Sequence, residues 1–285
     1  MGELLSRRAE YLPCVKEWPT EVWSLVIGAH PDDIEFMAFS AIEEFRRNSG
    51  RKVAGIVCTD GRGSLLTGGS DANSRVELAK VRFREQVEAA ELAGYAALAQ
   101  LGHSSVALLG CDGRKDLVEE LVGLIERLKP KVIYIHSLFD KHPTHLAVGA
   151  AGFAAVRMLA GKGIRPQRIY GCEVWRGLDW LNDEDKVILD AGEDVEFAQT
   201  LYRVFRSQIL PGKRYDRAVV GRKFANATFH DPGARDATAM AELAVDLTGL
   251  LDVPARDVKG HLMGYVERFR NRICQAIEGL EETWC

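Results

Sequence analysis

The sequence predicts an α/β fold: three layers around a mostly parallel sheet, followed by a C-terminal helical extension. Three observations predict it. Short apolar runs with β-branched content alternate with longer segments of helical periodicity, the pattern of a parallel sheet covered on both faces. That alternation stops near Trp175, where the texture becomes acidic and then helical. Polar clusters stand where three of the apolar runs end, and open α/β sheets bind ligands beyond the carboxyl ends of their strands.

Each element has its own signal. "VWSLVIGA" (22–29) halts at His30 and reads as a buried strand. "EFMAFSAIEEFRRNSG" (35–50) repeats apolar residues at three-residue steps, which predicts one helix stopped by Gly50. "KVAGIVCT" (52–59) is a second strand, and 72–95 is a long helix with Asn73 or Ser74 as cap and an end near Gly94. A helix over 116–130 closes at Pro130, a strand follows over 131–136, and 144–161 is a helix rich in small residues. A strand over 168–175 completes the alternation, and later helices are expected at 195–207, 213–227 and 257–282. No Pro/Gly/Ser linker or repeat divides the chain. The expected organisation is an N-terminal extension (1–21), an α/β domain carrying the site (22–175) and a helical extension (176–285) packed on the same domain.

Composition narrows the function. The chain has 285 residues, 47% hydrophobic and 27% charged, enough for a full core. A net charge of −4 and the lack of a Lys/Arg-rich block argue against nucleic acid as partner. No apolar run reaches the roughly 18 residues of a membrane span. The start shows no secretory signal, although Gly2 and Ser6 fit a loose myristoylation pattern whose accidental occurrence is the simpler reading. Six cysteines without a CxxC pair give neither zinc ribbon nor disulfide framework, and a cytoplasmic location is expected.

The chemistry concentrates at strand ends: "HPDD" after the first, "TDGRGS" (59–64) after the second, and "HSLFDKHPTH" (136–145) after a later one. A parallel sheet brings all three to one rim. His30 and Asp33 are three apart across Pro31, so both can face one point while Asp32 projects elsewhere. Helix capping by Asp32 or Asp33 explains one carboxylate, but not two plus a histidine. His142 and His145 repeat the three-residue step around Pro143, with Asp140 nearby, and His136 is a fourth of the chain's seven histidines at these two ends. Two imidazoles and one carboxylate form the donor set of catalytic zinc sites, with a position left for water; iron(II) takes the same set.

In this pairing, "AHPDD" followed by "DKHPTH", the chain resembles the PIG-L/LmbE-like family of zinc-dependent N-deacetylases. The "R-x-x-E-x-x-x-A" pattern at Arg82, Glu85 and Ala89 and the Thr-x-Gly-x-Gly loop at 59–63 extend the resemblance over a Rossmann-like domain, residues 22–175. The resemblance implies His30, Asp33 and His145 as metal ligands, Asp32 as general base and His142 as stabiliser of the oxyanion. Thr144 and Arg62 depart from the family pattern, which carries Asp and Glu there; Arg62 bears on substrate preference.

Around this core, Asp140 is expected to hydrogen-bond an imidazole, and Arg62 and Arg75 to bind substrate hydroxyls or a phosphate. Arg82 and Glu85, three apart on a helix, read as a structural pair. "GRGSLLTGGS" (61–70) has no Lys after its glycines, so it reads as a lid rather than a phosphate loop. Trp175, Arg176 and Trp180 are candidates for the pocket wall, with core burial as the alternative; His103, His230 and His261 read as structural. The expected function is removal of an acyl group, acetyl first, from an N-acylated amino sugar or its conjugate, using Zn2+ or Fe2+. The rivals are a metal-dependent hydratase on the same residues and a non-catalytic sugar-binding protein. The late apolar helices serve either core packing or a homo-oligomer interface.

Overall fold

The computed structural model describes residues 18–64, 72–210 and 212–284. The pattern at Gly2, Cys14, residues 65–70 of the expected lid (61–70) and Cys285 lie outside the described residues. The chain begins with β1 (Ser24–Gly28), α1 (Asp33–Met37), α2 (Phe39–Arg47) and β2 (Val53–Thr59). It continues through α3 (Ala72–Ala93), β3 (Ala97–His103), α4 (Ser105–Leu109) and α5 (Cys111–Leu128). Next come β4 (Val132–His136), α6 (Pro143–Ala160) and β5 (Arg168–Cys172). The remainder holds β6 (Val187–Asp190), α7 (Val195–Tyr202), α8 (Arg206–Ile209), α9 (Tyr215–Phe229), β7 (Ala241–Asp246) and α10 (Val258–Glu278). No helix of the described residues is long and apolar enough to cross a membrane.

The expected α/β architecture is present. A seven-stranded sheet has the order β3-β2-β1-β4-β5-β7-β6. β1 to β5 pair in parallel, while β7 runs antiparallel to both β5 and β6. From β1 the chain winds outward to β2 and β3; from β4 it winds the other way, to β5. The order therefore reverses between β1 and β4, and a crevice opens at their carboxyl ends. Side chains alternate across the sheet as strand geometry requires. Leu25 and Ile27 of β1 pack with Leu117, Leu121 and Val148 on one face, and Val26 packs with Ile34, Ile42 and Tyr202 on the other.

Several elements differ from expectation. The helix expected over 35–50 is two helices broken at Ala38, whose φ of −141° is not helical. The break has a cause: the Glu242 carboxylate accepts from the amides of Phe39 (2.8 Å) and Ser40 (3.0 Å), starting α2 afresh. α3 is already formed at Ala72, so Asn73 and Ser74 lie inside its first turn rather than ahead of it. The expected helix over 195–207 is α7 followed by the short α8. β3, β6 and β7 add to the expected strands; β3 (ALAQLGH) and β7 (AELAVD) are rich in Ala and Leu, whose helical preference is overridden by sheet pairing. The stretch 176–285 is thus not helical alone, since it adds two strands to the sheet.

α6 lies close against β4 because its small residues allow it. A Cβ added at Gly149 would sit 2.5 Å from the His136 carbonyl oxygen, a clash with backbone that cannot rotate away. Gly149→Ala is expected to cost about 1–3 kcal/mol by overpacking. The measurement is urea denaturation: a lower midpoint at constant slope supports the close approach, and a wild-type midpoint refutes it.

Candidate metal centre

The crevice between β1 and β4 is built by two turns. After β1 the chain turns at Pro31; the His30 amide donates to Asp33 Oδ2 at 2.7 Å, and the His30 Nδ1 atom lies 3.1 Å from the same oxygen. After β4, Asp140 organises the second turn. Its Oδ1 accepts from the amides of Lys141 (2.6 Å) and His142 (3.2 Å), and its Oδ2 accepts from His145 Nδ1 at 2.9 Å. That last bond fixes the His145 tautomer and leaves its Nε2 lone pair free. His136 ties the two ends together: its Nε2 accepts from the Ala29 amide at 2.8 Å.

Two sets of potential ligands share His145: His30 with His142, and Asp33 with His136. The lone pair of His136 Nε2 is already engaged by Ala29, which weakens it as a donor and leaves its proton on Nδ1, a buried atom without a partner. A compact triangle of donors is formed by His30 Nδ1, Asp33 Oδ2 and His145 Nε2. Its edges are 3.1, 3.1 and 3.4 Å. With bonds of about 2.0–2.1 Å, a tetrahedral ion sets its donors about 3.3–3.4 Å apart. The triangle is slightly smaller than that, and the residues present fit a small divalent ion. His142 stands beside them, its ring centroid 4.5 Å from that of His145 and 5.0 Å from that of His30.

Charge follows the same arrangement. Burial opposes ionisation of Asp33, but His145, His136 and His30 outweigh it and hold the carboxyl well below its usual range. Burial pushes His30 and His142 down, and His136 down to about 4. At His145 burial is overcome by Asp33 and Asp140, and the imidazole is raised. The cluster therefore favours the Asp33 anion and pushes His145 toward its charged form, while burial pushes the other three imidazoles toward the neutral form.

Asp32 is held differently. Its φ of 101° is left-handed, a strained conformation for a residue with a Cβ that costs of order 1–3 kcal/mol and clusters at functional sites. Gln86, fully buried, accepts from the Asp32 amide at 3.0 Å and donates to Glu35 at 2.8 Å. Arg82 donates to Pro31 O, to Gly61 O at 3.0 Å and to Asp32 Oδ2 at 3.1 Å. Gly61 needs to be glycine twice over: its φ is +66°, and a Cβ there would meet the Arg82 guanidinium at 2.8 Å. Burial pushes the Asp32 carboxyl well up, with Arg82 pulling down and Asp33 adding to the rise.

His30, Asp32, Asp33 and His142 line a cavity of about 310 Å³ with Arg82, Gly63 and Ser64. Arg62 and Arg75 do not line it. Arg62 is exposed and bonded to Asp60 at 2.6 Å, and Arg75 donates to the Arg62 carbonyl at 2.9 Å, so the two arginines stabilise the loop instead. The expected Arg82–Glu85 pair is also absent: Glu85 accepts from Ser207 N (2.8 Å) and Oγ (2.6 Å) while Arg82 clamps the Asp32 turn. Trp175 lines the cavity, whereas Trp180 packs on Phe139 and Phe269. His103 is bonded to Glu120 at 2.7 Å, a structural pair. The wall also includes Glu173, Arg222, Lys223, Asn226 and Glu242, to which the sequence reading assigns no individual role. Lys223 and Glu242 form a buried ion pair, and no motif or spacing in the chain marks it.

The fold and site together define an α/β protein with a histidine–carboxylate centre at the switch point of its sheet. The profile of the PIG-L family, described as GlcNAc-PI de-N-acetylase, matches residues 25–156. No curated protein sequence matches the chain. Solved structures share the fold. N,N'-diacetylchitobiose deacetylase from Pyrococcus horikoshii is 21% identical, with 82% of this chain and 88% of that one covered at a TM-score of 0.57. The 4-carboxy-2-hydroxymuconate hydratase of Pseudomonas putida is 19% identical, with 79% and 96% covered and a TM-score of 0.61. A conserved protein from Thermus thermophilus is 18% identical, with 79% and 94% covered and a TM-score of 0.61.

The Arg82 clamp gives a prediction. Arg82→Ala leaves the buried Asp32 carboxylate and two carbonyl oxygens uncompensated, at an expected cost of about 3–5 kcal/mol. Arg82→Lys should recover little, because an ammonium cannot reproduce the planar fork that spans three acceptors. Chemical denaturation of both variants is the check, and a lysine variant as stable as wild type would refute the clamp.

Proposed function

We propose that the protein is a metal-dependent amide hydrolase that removes an acyl group, acetyl first, from an N-acylated amino sugar or its conjugate. The observation that carries this reading is the 3.1–3.4 Å triangle of His30, Asp33 and His145, in a cavity that also presents the strained Asp32. The family match and the shared fold of a chitobiose deacetylase support N-deacetylation of amino sugars.

In this reading His30, Asp33 and His145 hold the ion; zinc suits the donor set, and iron(II) shares it. When bound, the ion supplies Lewis acidity and lowers the pKa of water toward neutrality. Asp32 takes the proton of the attacking water as its oxygen bonds to the carbonyl carbon. Burial of Asp32 makes its carboxylate a stronger base than one in water. His142 donates to the carbonyl oxygen as that oxygen gains charge. The C–N bond then breaks, the amine leaves with the proton that Asp32 returns, and a carboxylic acid remains. Asp140 keeps His145 oriented throughout.

A second reading has one specific observation behind it, the shared fold of a hydratase. With the same base and ion, water would add across an activated double bond, its hydroxyl to one carbon and its proton to the other. Acetate assayed from N-acetylglucosamine conjugates, beside absorbance loss of enol-acid substrates, separates the two. Absence of acetate from every N-acetyl sugar, with turnover of an enol acid, would sink the deacylase reading.

Two further outcomes follow from the roles. Asp32→Asn should keep its metal by elemental analysis and lose at least about 10²-fold in turnover, the scale of general-base catalysis. His145→Ala should lose both metal and turnover, as should chelation of the wild type, with recovery on adding zinc. Near-full activity in Asp32→Asn would refute the base assignment, and retained metal in His145→Ala the ligand set.

A further inference from the structure

Three Lys/Arg side chains line the cavity, and two are neutralised. Arg82 bonds Asp32, and Lys223 is paired with Glu242. The third, Arg222 of α9, is half-buried and donates through Nη1 to the Val174 carbonyl oxygen; among the described residues it is ion-paired with no carboxylate. Glu173, the lining acid whose field reaches Arg222, is itself occupied. It accepts from Asn226 Nδ2 at 2.9 Å and the Leu178 amide at 2.7 Å, and burial raises its carboxyl toward the uncharged form.

A second cation without an ion-pair partner stands against the ring of Trp175, next in the chain to Val174. Lys213 holds its ammonium 5.1 Å from the Trp175 ring and 5.7 Å from the Tyr215 ring, both on the cavity wall, and it too is ion-paired with no carboxylate among the described residues. Trp175 is fixed to the candidate metal centre: its amide donates to Asp140 Oδ2 at 3.4 Å, and its ring stacks on His142 at 6.2 Å. The 174–175 segment therefore joins two uncompensated positive charges to the reacting end of the cavity. A half-buried guanidinium without a counter-ion is unfavourable unless a ligand brings one. Its planar fork matches a carboxylate or phosphate.

The geometry points to an anion subsite: Arg222, aided by Lys213, binds a carboxylate or phosphate that the substrate carries beyond its scissile amide. Resting on the deacylase reading above, the preferred substrate is an anionic amino-sugar conjugate. This places anion recognition on α9 rather than on Arg62 and Arg75.

Binding and turnover are measured separately on the full-length, metal-loaded protein. Calorimetry uses the free amines glucosamine, glucosamine 1-phosphate and muramic acid. Both anions are expected to bind at least tenfold more tightly than glucosamine. Arg222→Gln should abolish that preference and Arg222→Lys should keep most of it, which separates lost charge from misfolding. Equal affinity for the three probes in the wild type, or an unchanged preference in Arg222→Gln, overturns the proposal. Acetate release is then followed from N-acetylglucosamine, its 1-phosphate and N-acetylmuramic acid. The expected signature of Arg222→Gln is a KM ratio, anionic to neutral, raised about tenfold. Arg222-dependent anion binding without acetate release keeps the subsite and removes the deacylase reading. Equal release from all three sugars by wild type and Arg222→Gln does the reverse.

Discussion

One carboxylate oxygen organises this molecule. Asp33 Oδ2 accepts the His30 amide at 2.7 Å and lies 3.1, 3.3 and 3.4 Å from nitrogens of His30, His136 and His145. A carboxylate as buried as this is untenable without compensation. Its compensation comes from the His30 amide at one strand end and from His145, raised toward its charged form, beyond the other, so the charge balance and the β1–β4 pairing are a single constraint. The requirement reaches outward. His136 must hold Ala29, α6 must lie close enough to deliver His145, and Gly149 is what permits that approach.

The same constraint explains what was legible in the sequence. A parallel sheet gathers its carboxyl ends, so clusters at strand ends can be assigned to one rim without coordinates. The three-residue steps of His30–Asp33 and His142–His145, and the proximity of Asp140, come together as the spacing implied. His136 had no readable role, because nothing in a strand-end histidine tells whether its acceptor serves a ligand or a neighbouring amide. Arg82 and Glu85 misled for a related reason. Spacing on a helix shows which side chains are neighbours, but their strongest partners, Asp32 and Ser207, come from other elements. The Ala-rich strands β3 and β7 were hidden because a pairing edge, rather than residue preference, decides their conformation.

The C-terminal part of the chain shapes the cavity. Glu242 on β7 takes up the first amides of α2, and Lys223 on α9 binds both Glu242 and the Phe36 carbonyl oxygen at 2.9 Å. The break at Ala38 is therefore imposed from the far end of the sequence. Breaking a buried pair of this kind by removing one partner is costly, which ties the late segment to the turn that carries His30 and Asp33. The late segment thus supplies part of the wall of the cavity that His30 and Asp33 also line.

Two adjacent aspartates at one strand end raise an electrostatic problem. Each raises the pKa of its neighbour, and side by side in a buried site they would favour protonation of one. The left-handed backbone at Asp32 separates their surroundings. Asp33 turns to three histidines, while Asp32 turns to Arg82, with Gln86 holding the intervening amide. One carboxylate is thereby kept as an anion that a cation can use, and its neighbour keeps a raised affinity for a proton. Backbone strain at a single residue, secured by a buried arginine and glutamine, is the physical means by which identical side chains acquire opposite tasks.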